Sequence, residues 1–126
     1  MPTILCIDDQ SDILELYKTL LESRGYRVLT ASDGPTGIAL TRQHPVDAVV
    51  LDLQMPGMNG RQVAEVLFRE RPSLPIIIST GCLDQIPESL QRSALAIAEK
   101  GAGPRVLLSI LQTALAGNPG ASQIVF

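Results

Sequence analysis

The sequence contains no tryptophan, only four phenylalanine and tyrosine residues, two cysteines and one histidine among 126 residues. Cys6 and Cys82 lie far apart without metal-ligand spacing, so the pattern predicts reduced thiols in a cytoplasmic protein, with a bridge between them left open. His44 precedes Pro45 in a predicted loop, which favours a solvated surface residue over a ligand. The scarcity of cysteine and histidine thus gives no support to a metal site built from these residues.

The sequence also has no lysine- or arginine-rich run, and its net charge is −3. It therefore lacks the basic surface that nucleic-acid binding requires. No segment approaches the roughly 20 apolar residues needed to span a bilayer. The first residues lack the charged and apolar regions of a signal peptide. We expect neither direct nucleic-acid binding nor a membrane as a partner.

The apolar residues that are present are almost all aliphatic and make up most of the 45% hydrophobic fraction. They occur in short runs of isoleucine, valine and leucine, which are typical of parallel strands covered on both faces. A chain of this length can bury a sizeable core without disulfides or metals, and it fits one domain. We place that domain at residues 1–119 and expect residues 120–126 to be a flexible tail or the start of a linker.

Short apolar runs alternate along the chain with stretches of helical pattern. The predicted strands are Thr3–Ile7, Arg27–Ala31, Val46–Asp52, Ile76–Thr80 and Leu95–Ala98. A first helix is predicted after Ser11, because apolar residues recur there at helical spacing: Ile13, Leu14, Leu16, Tyr17, Leu20 and Leu21. Further helices are predicted at Thr36–Arg42 after an Asp-Gly-Pro turn, at Gly60–Arg71 and from Pro104. The pattern at Leu83–Ser93 predicts a short, weakly packed helix. Strict alternation predicts a parallel sheet with right-handed crossovers and helices on both faces.

Polar side chains follow four of the five predicted strands. Asp8 and Asp9 follow the first strand, Asp52 ends the third, Thr80 ends the fourth and Lys100 follows the fifth. In an open parallel sheet these ends share one edge, where ligands bind. Crowding three carboxylates costs several kcal/mol unless a positive charge compensates. Mg²⁺, which prefers a few carboxylates plus water and phosphate oxygens, fits this set.

Each of these residues taken alone has a simpler interpretation. Asp52 suits a turn or cap, Thr80 can satisfy local backbone, and Lys100 can be a solvated side chain. Lys100 is, however, one of only two lysines in the chain. Taken together, the residues favour a carboxylate nucleophile at Asp52 that forms an aspartyl phosphate, with Thr80 and Lys100 stabilising the phosphoryl oxygens.

These motifs resemble the receiver domain of two-component response regulators, including the chemotaxis-regulator-like members. The matching residues are Asp8-Asp9, the Asp-Leu-Gln-Met-Pro-Gly-Met-Asn-Gly segment at 52–60, Ser79-Thr80-Gly81 and Lys100. The resemblance covers about residues 3–117, and the combination in order and spacing is specific. It implies an α/β, flavodoxin-like (βα)5 three-layer sandwich with a parallel sheet in the order 2-1-3-4-5.

The resemblance further implies what the site residues do. Asp52 would accept a phosphoryl group from a phosphohistidine of a sensor histidine kinase or histidine phosphotransfer protein. Asp9 and Asp52 would bind Mg²⁺ directly, Asp8 through water and Gln54 through its backbone carbonyl. Thr80 would be the switch hydroxyl and Lys100 the phosphate partner. The domain would catalyse only its own phosphotransfer and dephosphorylation, and would shift the face formed by the fourth predicted helix, fifth strand and last helix toward a downstream effector.

Three departures from the family pattern concern the readout. Gly101 stands where the family usually has proline, Ile97 stands where it usually has an aromatic residue, and the segment between Thr80 and Lys100 is short. An unphosphorylated pseudo-receiver that acts as an interaction module is an alternative, although the acid pair, Asp52, Thr80 and Lys100 argue against it. An Mg²⁺-dependent phosphatase is disfavoured because Gln54 replaces its second acid. A flavin or nucleotide binder is disfavoured because no glycine-rich loop follows the first strand.

Overall fold

The computed structural model describes residues 1–55, 57, 59–81, 86, 88, 96–99, 104–115 and 124–125. Several features singled out in the sequence lie outside these residues. They are Cys82, the helix predicted over Leu83–Ser93 apart from Ile86 and Glu88, Lys100 and Gly101.

Six strands form one sheet in the order β2-β1-β3-β4-β5-β6, and every neighbouring pair is parallel. The strands are β1 (Thr3–Ile7), β2 (Arg27–Ala31), β3 (Ala48–Asp52), β4 (Ile76–Thr80), β5 (Ala96–Glu99) and β6 (Ile124–Val125). The first five confirm the predicted order 2-1-3-4-5. The short β6, which pairs with β5, falls within the range that the sequence assigned to a tail or linker.

Four helices within the described residues cover the two faces of the sheet. They are α1 (Ser11–Ser23), α2 (Gly34–Gln43), α3 (Gly60–Glu70) and the C-terminal helix (Pro104–Leu115). The apolar residues of α2 and α3 pack with one face of the sheet, and those of α1 and the C-terminal helix pack with the other. This arrangement confirms the three-layer sandwich. None of the helices described here is long and apolar enough to cross a membrane.

The central strands are buried along their whole length. Every residue of β1, β3 and β4 is buried, including the polar residues at the ends of β3 and β4. Because neither face of such a buried strand meets water, apolar residues occupy successive positions, as in Ile76–Ile78. In contrast, Leu16 of α1, which the helical spacing placed with the apolar face, is 49% exposed. Leu16 is therefore not part of the buried face of α1.

The amino-terminal edge of the sheet is held by hydrogen bonds that involve no predicted site residue. The Asp47 amide donates to the Thr3 carbonyl at 2.8 Å, and the Asp47 carboxylate accepts from the Thr3 amide at 2.7 Å. The Arg27 amide donates to the Pro2 carbonyl, and the Val49 amide donates to the Pro75 carbonyl. On the α2–α3 side, Arg42 forms an exposed ion pair with Glu70 at 2.5 Å. The hydrogen bonds of Asp47, Arg27 and Val49 fix the register of the strands at the edge opposite the carboxylates.

The buried thiol of Cys6 leads to a first prediction. Cys6 is a free cysteine, 1% exposed, and burial together with the nearby Asp8 carboxylate raises its pKa from 9.0 to about 12. Since alkylation requires the thiolate, about one Cys6 thiol in 10,000 is reactive at pH 8. In a Cys82→Ser variant, iodoacetamide should leave the native protein unmodified under conditions that fully alkylate the urea-unfolded chain.

The same pKa shift sets the sign of a pH effect. Between pH 9 and pH 12 the unfolded chain loses the Cys6 proton while the folded chain keeps it, so rising pH favours unfolding through this group. Alkylation of the native Cys82→Ser variant at the rate of the unfolded chain would contradict the burial of Cys6.

Candidate functional site

Three carboxylates meet where β1 and β3 end. Asp8 and Asp9 directly follow β1, and Asp52 is the last residue of β3, which pairs with β1. One carboxylate oxygen from each of the three residues lies within 4.8 Å of the others. Asp8 and Asp52 are each 2% exposed, whereas Asp9 is exposed. The structure therefore brings together the three acids that the sequence placed at this edge.

Short turns fix the two buried carboxylates. The Gln10 amide donates to Asp8 Oδ1 at 3.0 Å, and the Gln54 amide donates to Asp52 Oδ1 at 3.1 Å. In both cases an aspartate side chain accepts from the amide two residues further on, a local turn that aspartate favours. Each bond holds one carboxylate oxygen toward its own loop.

The donor set of this cluster fits a hard divalent cation. Three carboxylates with oxygens within 4.8 Å of one another carry up to three negative charges, and two of the groups are removed from water. Such a concentration of charge destabilises the fold unless a cation offsets it. Oxygen ligands in this number, open to water on the Asp9 side, suit Mg²⁺, which keeps several waters when bound.

The other predicted site residues are placed as follows. Thr80 is the last residue of β4 and is 1% exposed, and its neighbour Ser79 is paired with Asp52 across the sheet. Gln54 follows β3, and its side-chain oxygen lies close to Gly81, the residue after β4. Lys100 lies outside the described residues. The roles assigned to Thr80, Gln54 and Lys100 therefore stay predictions.

A close approach between α3 and the end of β3 was not foreseen from the sequence, which predicted only that a helix begins at Gly60. Gly60 begins α3, and its amide donates to the Leu53 carbonyl at 3.2 Å. A Cβ at Gly60 would overlap the carbonyl oxygen of Asp52 and lie 2.5 Å from the Cα of Leu53. Asn59 caps α3 by accepting from the Gln62 amide. The glycine thus allows the start of α3 to pack directly against the backbone at the end of β3, which carries Asp52.

Strand order and site together define a class of protein. A doubly wound parallel sheet with clustered carboxylates beyond the ends of β1 and β3 is an open α/β domain that carries its site at the carboxyl edge. The response regulator receiver domain family matches residues 4–112. The chain belongs to this family.

The chain is similar to individual members over most of its length. It is 36% identical over 124 residues to protein PilH of Pseudomonas aeruginosa, covering 93% of this chain and 100% of PilH. A CheY-like receiver domain from Methanospirillum hungatei superimposes with a TM-score of 0.85 at 30% identity, covering 92% of this chain and 94% of that one. TrrA of Thermotoga maritima, solved in complex with Mg²⁺-BeF, gives a TM-score of 0.84 at 27% identity, covering 90% and 99%.

Other relatives are much longer than this chain. It matches response regulator GtcR of Aneurinibacillus migulanus at 43% identity over 76 residues, which are 60% of this chain and 31% of GtcR. It spans 9% of the sensor protein GacS of Pseudomonas syringae. Receiver domains therefore occur among these relatives both as a whole protein and as part of a larger one.

Proposed function

We propose that this chain is a phosphoacceptor in a two-component pathway, with Asp52 as the accepting residue and Mg²⁺ as the cofactor. The observation that carries the proposal is the meeting of the Asp8, Asp9 and Asp52 carboxylate oxygens within 4.8 Å. A bound Mg²⁺ would supply the positive charge that offsets these carboxylates and the incoming phosphoryl oxygens. Asp9 and Asp52 would hold it directly, Asp8 through water and Gln54 through its carbonyl.

The chemistry assigned to Asp52 is a group transfer from a phosphohistidine. A carboxylate oxygen of Asp52 forms the new P–O bond while the P–N bond breaks, and its electron pair goes to the imidazole nitrogen. The Gln54 amide, which donates to Oδ1, keeps the carboxylate in one orientation for this attack. Thr80 and Lys100 then donate to the phosphoryl oxygens. The domain catalyses this transfer and the later hydrolysis of its own aspartyl phosphate only.

Two features of a relative support the partner and the cofactor. TrrA was solved in complex with Mg²⁺-BeF and also in complex with the histidine kinase ThkA. We accordingly assign a sensor histidine kinase or a histidine phosphotransfer protein as phosphodonor, and a downstream effector as the reader of the β5 and C-terminal helix face. The cytoplasmic location expected from the sequence belongs to the same proposal. Because Ile97 replaces the usual aromatic residue and is buried, the readout runs through backbone or helix movement.

Intact mass measurement tests the proposal directly. Incubation of the chain with Mg²⁺ and a small phosphodonor such as acetyl phosphate should add one phosphoryl group, and omission of Mg²⁺ should prevent the addition. Steady release of phosphate without a stable adduct would favour a phosphatase. Neither an adduct nor phosphate release would leave the pseudo-receiver, an unphosphorylated interaction module, as the function.

Magnesium binding can be tested without any phosphodonor. Mg²⁺ should raise the melting temperature, because a ligand at about 100 times its Kd stabilises a fold by about 2.7 kcal/mol. Asp9→Asn should weaken Mg²⁺ binding at least about tenfold, since loss of a partner outside the coordination sphere already costs that much. Asp9 is exposed, so this change leaves the core intact.

Asp12→Asn is the matched control, because Asp12 is an exposed acid in the first turn of α1, close to the cluster but not part of it. It should keep the magnesium-dependent rise in melting temperature. Equal losses in the two variants would mean that general negative charge, and not a ligand at Asp9, attracts the ion.

A further inference from the structure

Two hydroxyl groups meet beside the carboxylates without having a part in the function proposed above. The hydroxyl of Tyr17 on α1 lies 3.4 Å from the hydroxyl of Ser79 on β4, and either can be the donor. Ser79 is 4% exposed, and Tyr17 packs its ring against the cluster of apolar residues under α1. The two residues are 62 positions apart in the chain, so the contact is purely tertiary.

The sheet places Ser79 next to Asp52. The two residues are register partners on adjacent parallel strands. Val50 and Ile77, each two residues earlier on its strand, both face α1 and the C-terminal helix. Because side chains alternate along a strand, Asp52 and Ser79 also share this face, on strands about 4.8 Å apart. Ser79 is thus the hydroxyl beside the phosphoacceptor on the α1 side.

We propose that Ser79 and Tyr17 are positioning residues for Asp52, with Ser79 beside the carboxylate and Tyr17 holding the Ser79 hydroxyl from α1. This inference rests on the function proposed above. A serine hydroxyl has one proton and two acceptor sites, so a contact with Tyr17 leaves it able to make a second hydrogen bond. When Tyr17 donates, the Ser79 proton is available to an oxygen at Asp52, either of the carboxylate or of the group bound to it.

The arrangement also joins the site to α1. Tyr17 stands in the middle of the helix that starts two residues after Asp9. A phosphoryl group or its mimic at Asp52 changes which oxygens can accept a hydrogen bond from Ser79. The orientation of the Ser79 hydroxyl then changes, and with it the contact to the Tyr17 hydroxyl. The chain contains no tryptophan and only one other tyrosine, Tyr26, so tyrosine emission reports on this contact.

The test measures the affinity of the full chain for beryllofluoride in the presence of Mg²⁺. Removing a hydrogen bond to a charged group lowers affinity by about tenfold, and we expect this loss for Ser79→Ala. Tyr17→Phe, which acts through Ser79, should lose about threefold, and the double variant should match Ser79→Ala alone. Ser79→Thr, which restores a hydroxyl in a strand, should bind within about twofold of wild type.

A second readout follows the emission of Tyr17 in a Tyr26→Phe background. Beryllofluoride with Mg²⁺ should change this emission, and Ser79→Ala should abolish the change. The matched control is Ser73→Ala, which removes an exposed serine at the opposite edge of the sheet and should alter neither affinity nor emission. Tyr26 also lies at that opposite edge, next to the start of β2.

The outcomes separate this inference from the proposed function. If wild type fails to bind beryllofluoride, the proposed function fails and this inference fails with it. If wild type binds but Ser79→Ala and Tyr17→Phe bind equally well, the proposed function stands and the positioning role is wrong. If both variants lower only the melting temperature, the contact is structural and the inference is again overturned.

Discussion

Replacing Asp52 with asparagine should abolish the phosphoryl adduct that forms with Mg²⁺ and a small phosphodonor. Asparagine keeps the shape of the side chain and an oxygen that can accept from the Gln54 amide, so the loop after β3 is preserved. It lacks the nucleophilic carboxylate oxygen and the charge that attracts the cation. Intact mass should therefore show no addition to Asp52→Asn under conditions that modify most of the wild-type chain.

The opposite end of the same strand offers a matched control. Asp47 precedes β3, is exposed and accepts a hydrogen bond from the Thr3 amide at 2.7 Å. Asp47→Asn changes the net charge by the same amount and also keeps an acceptor oxygen. It should gain one phosphoryl group like wild type. An adduct that persists in Asp52→Asn would show that another residue accepts the phosphoryl group. Asp8 and Asp9 would then be the next residues to replace.

Gly60→Ala should produce the largest loss of stability among single-methyl changes in the described loop after β3. The added Cβ would overlap the Asp52 carbonyl oxygen and come within 2.8 Å of its carbonyl carbon. These are backbone atoms of a buried strand end, so they cannot move aside as a side chain can. Overpacking of this kind costs about 3 kcal/mol, measured by urea denaturation. Phosphorylation should also slow, because relief of the clash displaces Asp52.

Gly81→Ala provides the comparison, since among the described residues a Cβ there would meet only the Gln54 side-chain oxygen, at 3.8 Å. With space available, this change should stabilise the fold by about 0.5 kcal/mol through the lost entropy of the unfolded chain. Similar free energies of unfolding for the two variants would show that α3 does not press on β3 as described.

The fold was predictable where burial alone decides the structure. The runs at Thr3–Ile7 and Ile76–Thr80 are buried on both faces, and their observed bounds equal the predicted ones. The bounds of β2 also equal the predicted ones, whereas β3 begins at Ala48 and not at Val46, and β5 is Ala96–Glu99 and not Leu95–Ala98. The meeting of Asp8, Asp9 and Asp52 followed from strand order, because the carboxyl ends of parallel strands share an edge.

Elements set by side-chain hydrogen bonds were harder to predict. The Asp33-Gly34-Pro35 segment looked like a turn, yet α2 begins at Gly34. Asp33 caps the helix by accepting from the Thr36 amide at 2.8 Å, and its hydrogen bonds with Thr36 lower its pKa. Proline is tolerated in the first turn because its missing amide proton has no partner there.

Contacts between residues far apart in the chain could not be predicted from the spacing of residues in the sequence. Tyr17 was predicted on the apolar face of the first helix, and Ser79 was placed at the end of the fourth strand, within the family motif, with no role of its own. Alternation along β4 places Ser79 on the face of Asp52, but nothing local indicates that a tyrosine 62 residues earlier meets it. Such a contact depends on how far α1 lies along the sheet, which packing of the whole core determines.

The hydrogen bonds at the amino-terminal edge bear on how the molecule can change shape. Thr3, Asp47, Arg27 and Val49 are fixed there by bonds that include none of the site residues. Conformational exchange at the acids can thus proceed without breaking any of them, since local opening spreads only as far as the bonds that must be lost. If the acids change position, the pairing of β1 to β4 at their amino-terminal ends would therefore stay intact.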